Sequence, residues 1–106
     1  VAAHVKDYAV DLVMATQTGT PTAHPRATKY IRYGSSPRGA QALVDCGRVR
    51  ALMNGRMHLS VDDVRAVAPS VLRHRIIPNF DAHADGETPD TILREIVQTT
   101  SAAVAK

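Results

Sequence analysis

The chain has 106 residues, 44% of them hydrophobic and 22% charged, with a formal net charge of +3 and a single cysteine. That length suits one domain with a core of its own, and the composition excludes disordered and fibrous classes. Cys46 has no partner for an internal disulfide and fits a reducing compartment, so a cytoplasmic location is expected; no apolar run reaches the roughly 18 residues of a membrane span, and the first residues form no signal peptide.

With three Tyr, one Phe and no Trp, the core must rest on Ala, Val, Leu, Ile and Met, which favours packed helices over a β-sandwich. Val5, Tyr8, Ala9, Leu12 and Val13 recur at i, i+3, i+4, i+7 and i+8, with Lys6, Asp7 and Asp11 between them. This is the stripe of an amphipathic helix over about residues 2–17, ended by Gly19 and Pro21. Residues 18–33 are polar and carry Pro21 and Pro25, so they read as a long loop with functional or mobile character, with Lys29–Tyr33 as a possible short strand.

Gly34–Ser35–Ser36–Pro37 is a helix start, with serine able to cap and proline suited to the first helical position. The helix runs to about Met53 and stops at Asn54–Gly55. Its apolar positions, Ala40, Leu43, Val44, Gly47, Ala51 and Leu52, are widened by Cys46 and Val49, which predicts the central and most buried helix of the domain. Ser60 opens the next helix, with Asp63 completing a carboxylate variant of the capping box. Val61, Val64, Val67, Ala68, Val71 and Leu72 form its inner stripe, and Pro69 predicts a kink or a fresh turn. Residues 77–86 read as irregular. Thr88–Pro89–Asp90 starts a further helix burying Ile92, Leu93, Ile96 and Val97, and residues 99–106 are expected to fray. The expected fold is therefore all-α, a small four- or five-helix bundle over residues 1–106.

Catalytic signatures are missing. There is no GxxxxGK[ST] phosphate loop, no GxGxxG and no HExxH; His4, His24, His58, His74 and His83 are scattered, so no metal site is expected. His74, between Arg73 and Arg75, reads as a helix-end cation, and Cys46 as a buried structural thiol. Charge is uneven: between His24 and Arg56 stand Arg26, Lys29, Arg32, Arg38, Arg48, Arg50 and Arg56 against one anion, Asp45. Such a zone points to an anionic partner: nucleotide phosphate, nucleic acid or an acidic protein face.

The informative position is Arg38. With Ser36 as N-cap and Pro37 at N1, it falls at N2, where the helix dipole disfavours a cation by roughly 0.3–1 kcal/mol. An anion held between free N–H groups and the guanidinium reverses that sign, and the planar fork of arginine matches phosphate oxygens. The competing reading leaves Arg38 in water or paired with a carboxylate such as Asp45.

Gly34–Ser35–Ser36–Pro37–Arg38–Gly39 resembles the GASPRA motif of MoxR-type AAA+ ATPases. The likeness continues through Ala42–Leu43, Arg50–Ala51, Asn54–Gly55–Arg56, Ser60–Val61–Asp62–Asp63–Val64 and residues 67–75, VAPSVLRHR, to the Thr88–Pro89–Asp90 helix. The resemblance implies a helical lid, a segment of a longer AAA+ chain, that covers bound ATP beside a P-loop core. It implies that Arg38 is a sensor-2 arginine reading the phosphates, supported by the helix start at Ser35, Ser36, Pro37 and Gly39. It further implies ATP and magnesium as cofactors of the parent, the AAA+ core of the same chain as partner, a homo-oligomeric, usually hexameric ring, chaperone-like remodelling, and von Willebrand factor A-domain proteins as further partners. A lid without the phosphate loop and the magnesium-binding acids is expected to be inactive alone. Ser35 and Gly39 stand where the family commonly has alanine, and the Thr20–Lys29 loop differs from shorter family versions. The alternative is a basic helical nucleic-acid-binding module, disfavoured by Asp62, Asp63, Asp81, Asp85 and Glu87 in the second half.

Overall fold

A computed structural model describes residues 3–100. They form six helices and two short strands: α1 (Ala3–Ala15), α2 (Pro25–Tyr30), β1 (Ile31–Tyr33), α3 (Pro37–Met53), α4 (Val61–Leu72), β2 (Ile77–Pro78), α5 (Phe80–Ala84) and α6 (Pro89–Thr99). The four long helices are those the periodicity predicts. The frayed tail expected at 99–106 lies, from residue 101 on, outside the described residues.

One core joins the elements. Val5, Tyr8 and Leu12 of α1 meet Leu43 of α3, Val64 and Leu72 of α4, and Ile92, Leu93 and Ile96 of α6, all nearly inaccessible to solvent. The α3–α4 contact is the most extensive, and α1 lies across both. Gly47 faces α4 across this contact; a Cβ there would come 3.7 Å from Val64 Cγ2 and 2.7 Å from Leu59 Cδ1 in the preceding turn.

The polar stretch 18–33 is more ordered than its composition suggests. Pro25 starts α2, and His24 caps it, its Nδ1 accepting from the Arg26 N–H at 3.0 Å. Burial holds the His24 imidazole below its ordinary pKa, partly opposed by the Glu95 carboxylate. β1 then pairs antiparallel with β2, Ile31 opposite Pro78 and Tyr33 opposite Ile77, so the strand covers only the last three residues of the expected 29–33. Residues 77–86, expected to be irregular, supply β2 and α5. Asn79 caps α5 and donates to the Lys29 carbonyl at 2.8 Å, tying the two segments together. Both short helices escape periodicity because neither is long enough to show a repeating stripe.

Two expectations for α3 are corrected. Cys46 is exposed, not a buried thiol, and Val49 and Leu52 are 57% and 60% exposed. The buried face is the narrow row Gly39, Leu43, Val44, Gly47 and Ala51, so α3 buries one side rather than most of its circumference. Pro69 lies within α4, which runs on to Leu72 instead of restarting. So near the C-terminal end, the missing N–H removes one intrahelical bond and few residues follow it.

Candidate functional site

The start of α3 is built by the residues before it. Ser36 takes the N-cap position in extended backbone (φ −76°, ψ 168°) and Pro37 sits at N1, but the Ser36 side chain makes no capping hydrogen bond. This corrects the expected serine cap. The first turn contains no acidic residue. Pro37 has no N–H, so the first amide of the helix is that of Arg38 itself; the Gly39 N–H reaches the Ser36 carbonyl at 2.9 Å. Arg38 is exposed and forms no ion pair or side-chain hydrogen bond among the described residues. Asp45, the suggested carboxylate partner, accepts instead from Gln41 Nε2 at 3.0 Å. The guanidinium and an uncapped helix start thus face solvent together, a combination that attracts an anion.

Ser35 and Gly39 explain each other. Ser35 is fully buried, its Oγ donating to the Ser36 carbonyl at 3.0 Å. A Cβ built on Gly39 would come 2.0 Å from that Oγ but 3.3 Å from Ser35 Cβ. With alanine at both positions, as the motif commonly has, the clash with oxygen vanishes and the carbon contacts remain, 3.3 Å to the residue 35 Cβ and 3.2 Å to Leu72 Cδ2. The two departures from the motif thus exchange volume between two neighbouring positions.

The basic zone divides. Arg50 Nη1 and Arg56 Nη1 each lie 2.7 Å from an oxygen of Asp63, whose side chain is wholly buried, and Arg56 Nη2 adds a contact of 2.5 Å. Ser60 N and Oγ donate to the same carboxylate at 3.0 Å each. The Arg56 guanidinium first, then the Ser60 amide and hydroxyl and Arg50, outweigh burial and hold Asp63 far below the usual carboxylate range. Arg56 reaches this position because Gly55, at φ +75°, turns the chain back at the end of α3; the Arg56 N–H bonds the Ala51 carbonyl at 2.8 Å and the Gly55 N–H that of Leu52 at 3.0 Å. Arg26 pairs with Glu87 and Glu95. Three cations of the zone are therefore internal struts, while Arg32 lies over the Tyr33 ring and Lys29 over Tyr30. The arginines of α3 without an acidic partner among the described residues are Arg38 and Arg48, the latter lining an open groove of about 450 Å³ with Lys6, Val10, Pro37 and Gln41.

Sequence reading missed the residues that seat this turn. Thr16 and Gln17, just beyond α1, bond the backbone of Ser35, and nothing in local periodicity reports a contact across that distance. His74, read from the sequence as a helix-end cation, is exposed and lies beyond the last residue of α4, Leu72. Among the described residues no group of three or more His, Cys, Asp or Glu could hold a metal ion, and no helix is long and apolar enough to cross a membrane.

The sequence model of the AAA lid domain family matches residues 23–96. The chain belongs to the AAA lid domain family. Its MoxR character is shown by its relatives. The lid is 33% identical over 93 residues to the chaperone MoxR1 of Mycobacterium tuberculosis, covering 88% of this chain and 25% of that protein. It is 37% identical over 76 residues to protein MoxR of Methylorubrum extorquens, covering 70% and 22%. A crystal structure of a candidate ATPase from Cytophaga hutchinsonii superposes with a TM-score of 0.85 at 30% identity, over 94% of this chain and 30% of that one. The lid thus spans 22–30% of the length of these relatives.

Proposed function

We propose that this AAA lid closes over ATP bound to a P-loop core and that Arg38 is its phosphate sensor. The observation that carries the reading is the start of α3: an exposed, unpaired arginine at N2 of a helix with neither a side-chain cap nor an acid in its first turn. Isolated, that arrangement is electrostatically unfavourable; with a phosphate in front of it, the dipole, the Arg38 N–H and the guanidinium all act in the same direction. Charge that develops on the transferred phosphoryl oxygens is then offset by a preorganised cation, and the change in charge on hydrolysis is felt by the whole helix. Nucleotide supplies the reacting phosphate; the magnesium that accompanies it would be held elsewhere in the ATPase, since the described residues gather no cluster of ligands for it.

From Arg38 the motion has a path. α3 packs on α4, and both pack on α1, so a pull on the start of α3 moves the bundle rather than a loop. We assign the domain to a cytoplasmic, ring-forming ATPase with chaperone-like remodelling activity, acting with von Willebrand factor A-domain proteins; the chaperone name of the mycobacterial relative supports the remodelling part. The nucleic-acid reading loses its support because Arg26, Arg50 and Arg56 are paired with carboxylates of the same chain.

The test is steady-state ATP hydrolysis by the ATPase chain that carries this lid. Arg38→Ala is expected to lower kcat by about 10²-fold with the assembly intact. Unchanged turnover and nucleotide affinity would remove the sensor role and leave an interaction domain.

A further inference from the structure

The turn that presents Arg38 is gripped from the end of α1. Thr16, fully buried, donates through Oγ1 to the Val13 carbonyl at 2.6 Å and accepts the Ser35 N–H on the same oxygen at 3.0 Å. Gln17 Nε2 donates to the Ser35 carbonyl. Gly34 lies so close that a Cβ there would come 2.1 Å from the Thr16 carbonyl oxygen. Both backbone polar groups of Ser35, three residues before Arg38, are thus held by side chains nearly twenty residues upstream, and the residue before it is pressed against the same backbone.

α1 does not need this grip for its own anchoring, because Val5, Tyr8, Ala9, Leu12 and Val13 already bury its inner face. The bonds fall on the turn. Thr16 and Gln17 also lie outside residues 23–96, the stretch the family model matches. We infer that Thr16 and Gln17 are positioning residues for Arg38: the end of α1 clamps Gly34–Ser35, so that the aim of the guanidinium follows α1 as well as α3. This inference rests on the phosphate-sensing reading of Arg38. A charge offset at a reacting phosphate is steeply sensitive to placement, since a displacement of about 1 Å can reduce rate by about 10²-fold. A clamp that removes rotational freedom just before the sensor is therefore a rate device and not only a packing one.

The test compares Gln17→Ala, Thr16→Ser, Arg38→Ala and the double variant Gln17→Ala/Arg38→Ala in the ATPase chain that carries this lid, reading ATP turnover and the thermal midpoint of each. Gln17 is only partly buried, so its loss leaves the core untouched. Gln17→Ala is expected to lower kcat about tenfold with KM for ATP and the midpoint close to wild type. Thr16→Ser keeps the hydroxyl and should retain full turnover. The double variant should be no slower than Arg38→Ala, because a residue acting through Arg38 has nothing left to position. Wild-type turnover in Gln17→Ala, with Arg38→Ala slow, overturns the clamp and leaves the sensor standing. Losses that add in the double variant, or that track a fall in the midpoint, overturn it in favour of a structural role. Wild-type turnover in Arg38→Ala removes both the sensor and its clamp.

Discussion

α4 begins with Ser60, Asp62 and Asp63, and α3 with Ser36, Pro37 and Arg38; these two helices share the largest contact in the domain, yet their starts are opposite. At α4 the Ser60 hydroxyl accepts the Asp63 N–H at 3.3 Å, the Asp63 carboxylate accepts the Ser60 N–H, and two arginines neutralise the buried charge. The capping serine and the buried carboxylate are both satisfied within the protein. At α3 the cap side chain is idle, an arginine stands where the dipole favours an acid, and no partner is present among the described residues. The contrast separates a helix start closed within the protein from one left open to solvent, where the proposed phosphate would sit.

The closed start should break hardest. Asp63→Asn removes the charge between Arg50 and Arg56; breaking a buried pair typically costs about 3–5 kcal/mol, and the part-exposed arginine side chains reduce this to about 2–3 kcal/mol. A fall of about 10–20 °C in the thermal midpoint would show it, whereas Arg38→Ala should leave the midpoint unchanged or slightly raised. The same carboxylate sets an acid limit. Its folded pKa is depressed, so its contribution is complete above the unfolded value of about 3.9 and declines as pH falls below that. Denaturant titrations at pH 6 and pH 3 should show the loss in the wild type and a much smaller change in Asp63→Asn.

Gly39→Ala comes next, because the new Cβ meets Ser35 Oγ at 2.0 Å and Leu72 Cδ2 at 3.2 Å. The expected destabilisation is about 1–2 kcal/mol. Ser35→Ala in the same chain should recover most of it, and equal losses in the single and double variants would refute the compensated exchange. The smallest effect sharpens the comparison directly. Ser60→Ala should cost about 1 kcal/mol, as loss of a working cap does, and Ser36→Ala no more than a few tenths. Matching losses at the two serines would mean that the α3 start is capped after all.

The elements that were legible share one property: their signals are local. The stripe Val5–Val13, the Ser60–Asp63 box and the Thr88–Pro89 start each lie within a few residues and were readable as written. Arg38 was readable at N2 for the same reason, through Ser36 and Pro37. The errors fall where the answer depends on what lies opposite. Cys46, Val49 and Leu52 are apolar in type but face away from α4, and a helix with apolar residues on several sides does not itself reveal which side is covered. Arg50 and Arg56 looked like members of an anion-binding zone because their partner, Asp63, is brought to them only by the Gly55 turn.

By itself, then, the sequence determined the four long helices, the caps of α4 and α6 and the placement of an arginine at the start of α3, because hydrogen-bond capping and helical periodicity act over one or two turns. Only the tertiary structure decided which cations are struts and which face solvent, that Ser35 and Gly39 share one volume, and that the end of α1 holds the turn before Arg38. Those outcomes depend on which atoms of distant segments meet at van der Waals or hydrogen-bond distance, and chain order alone does not specify such meetings.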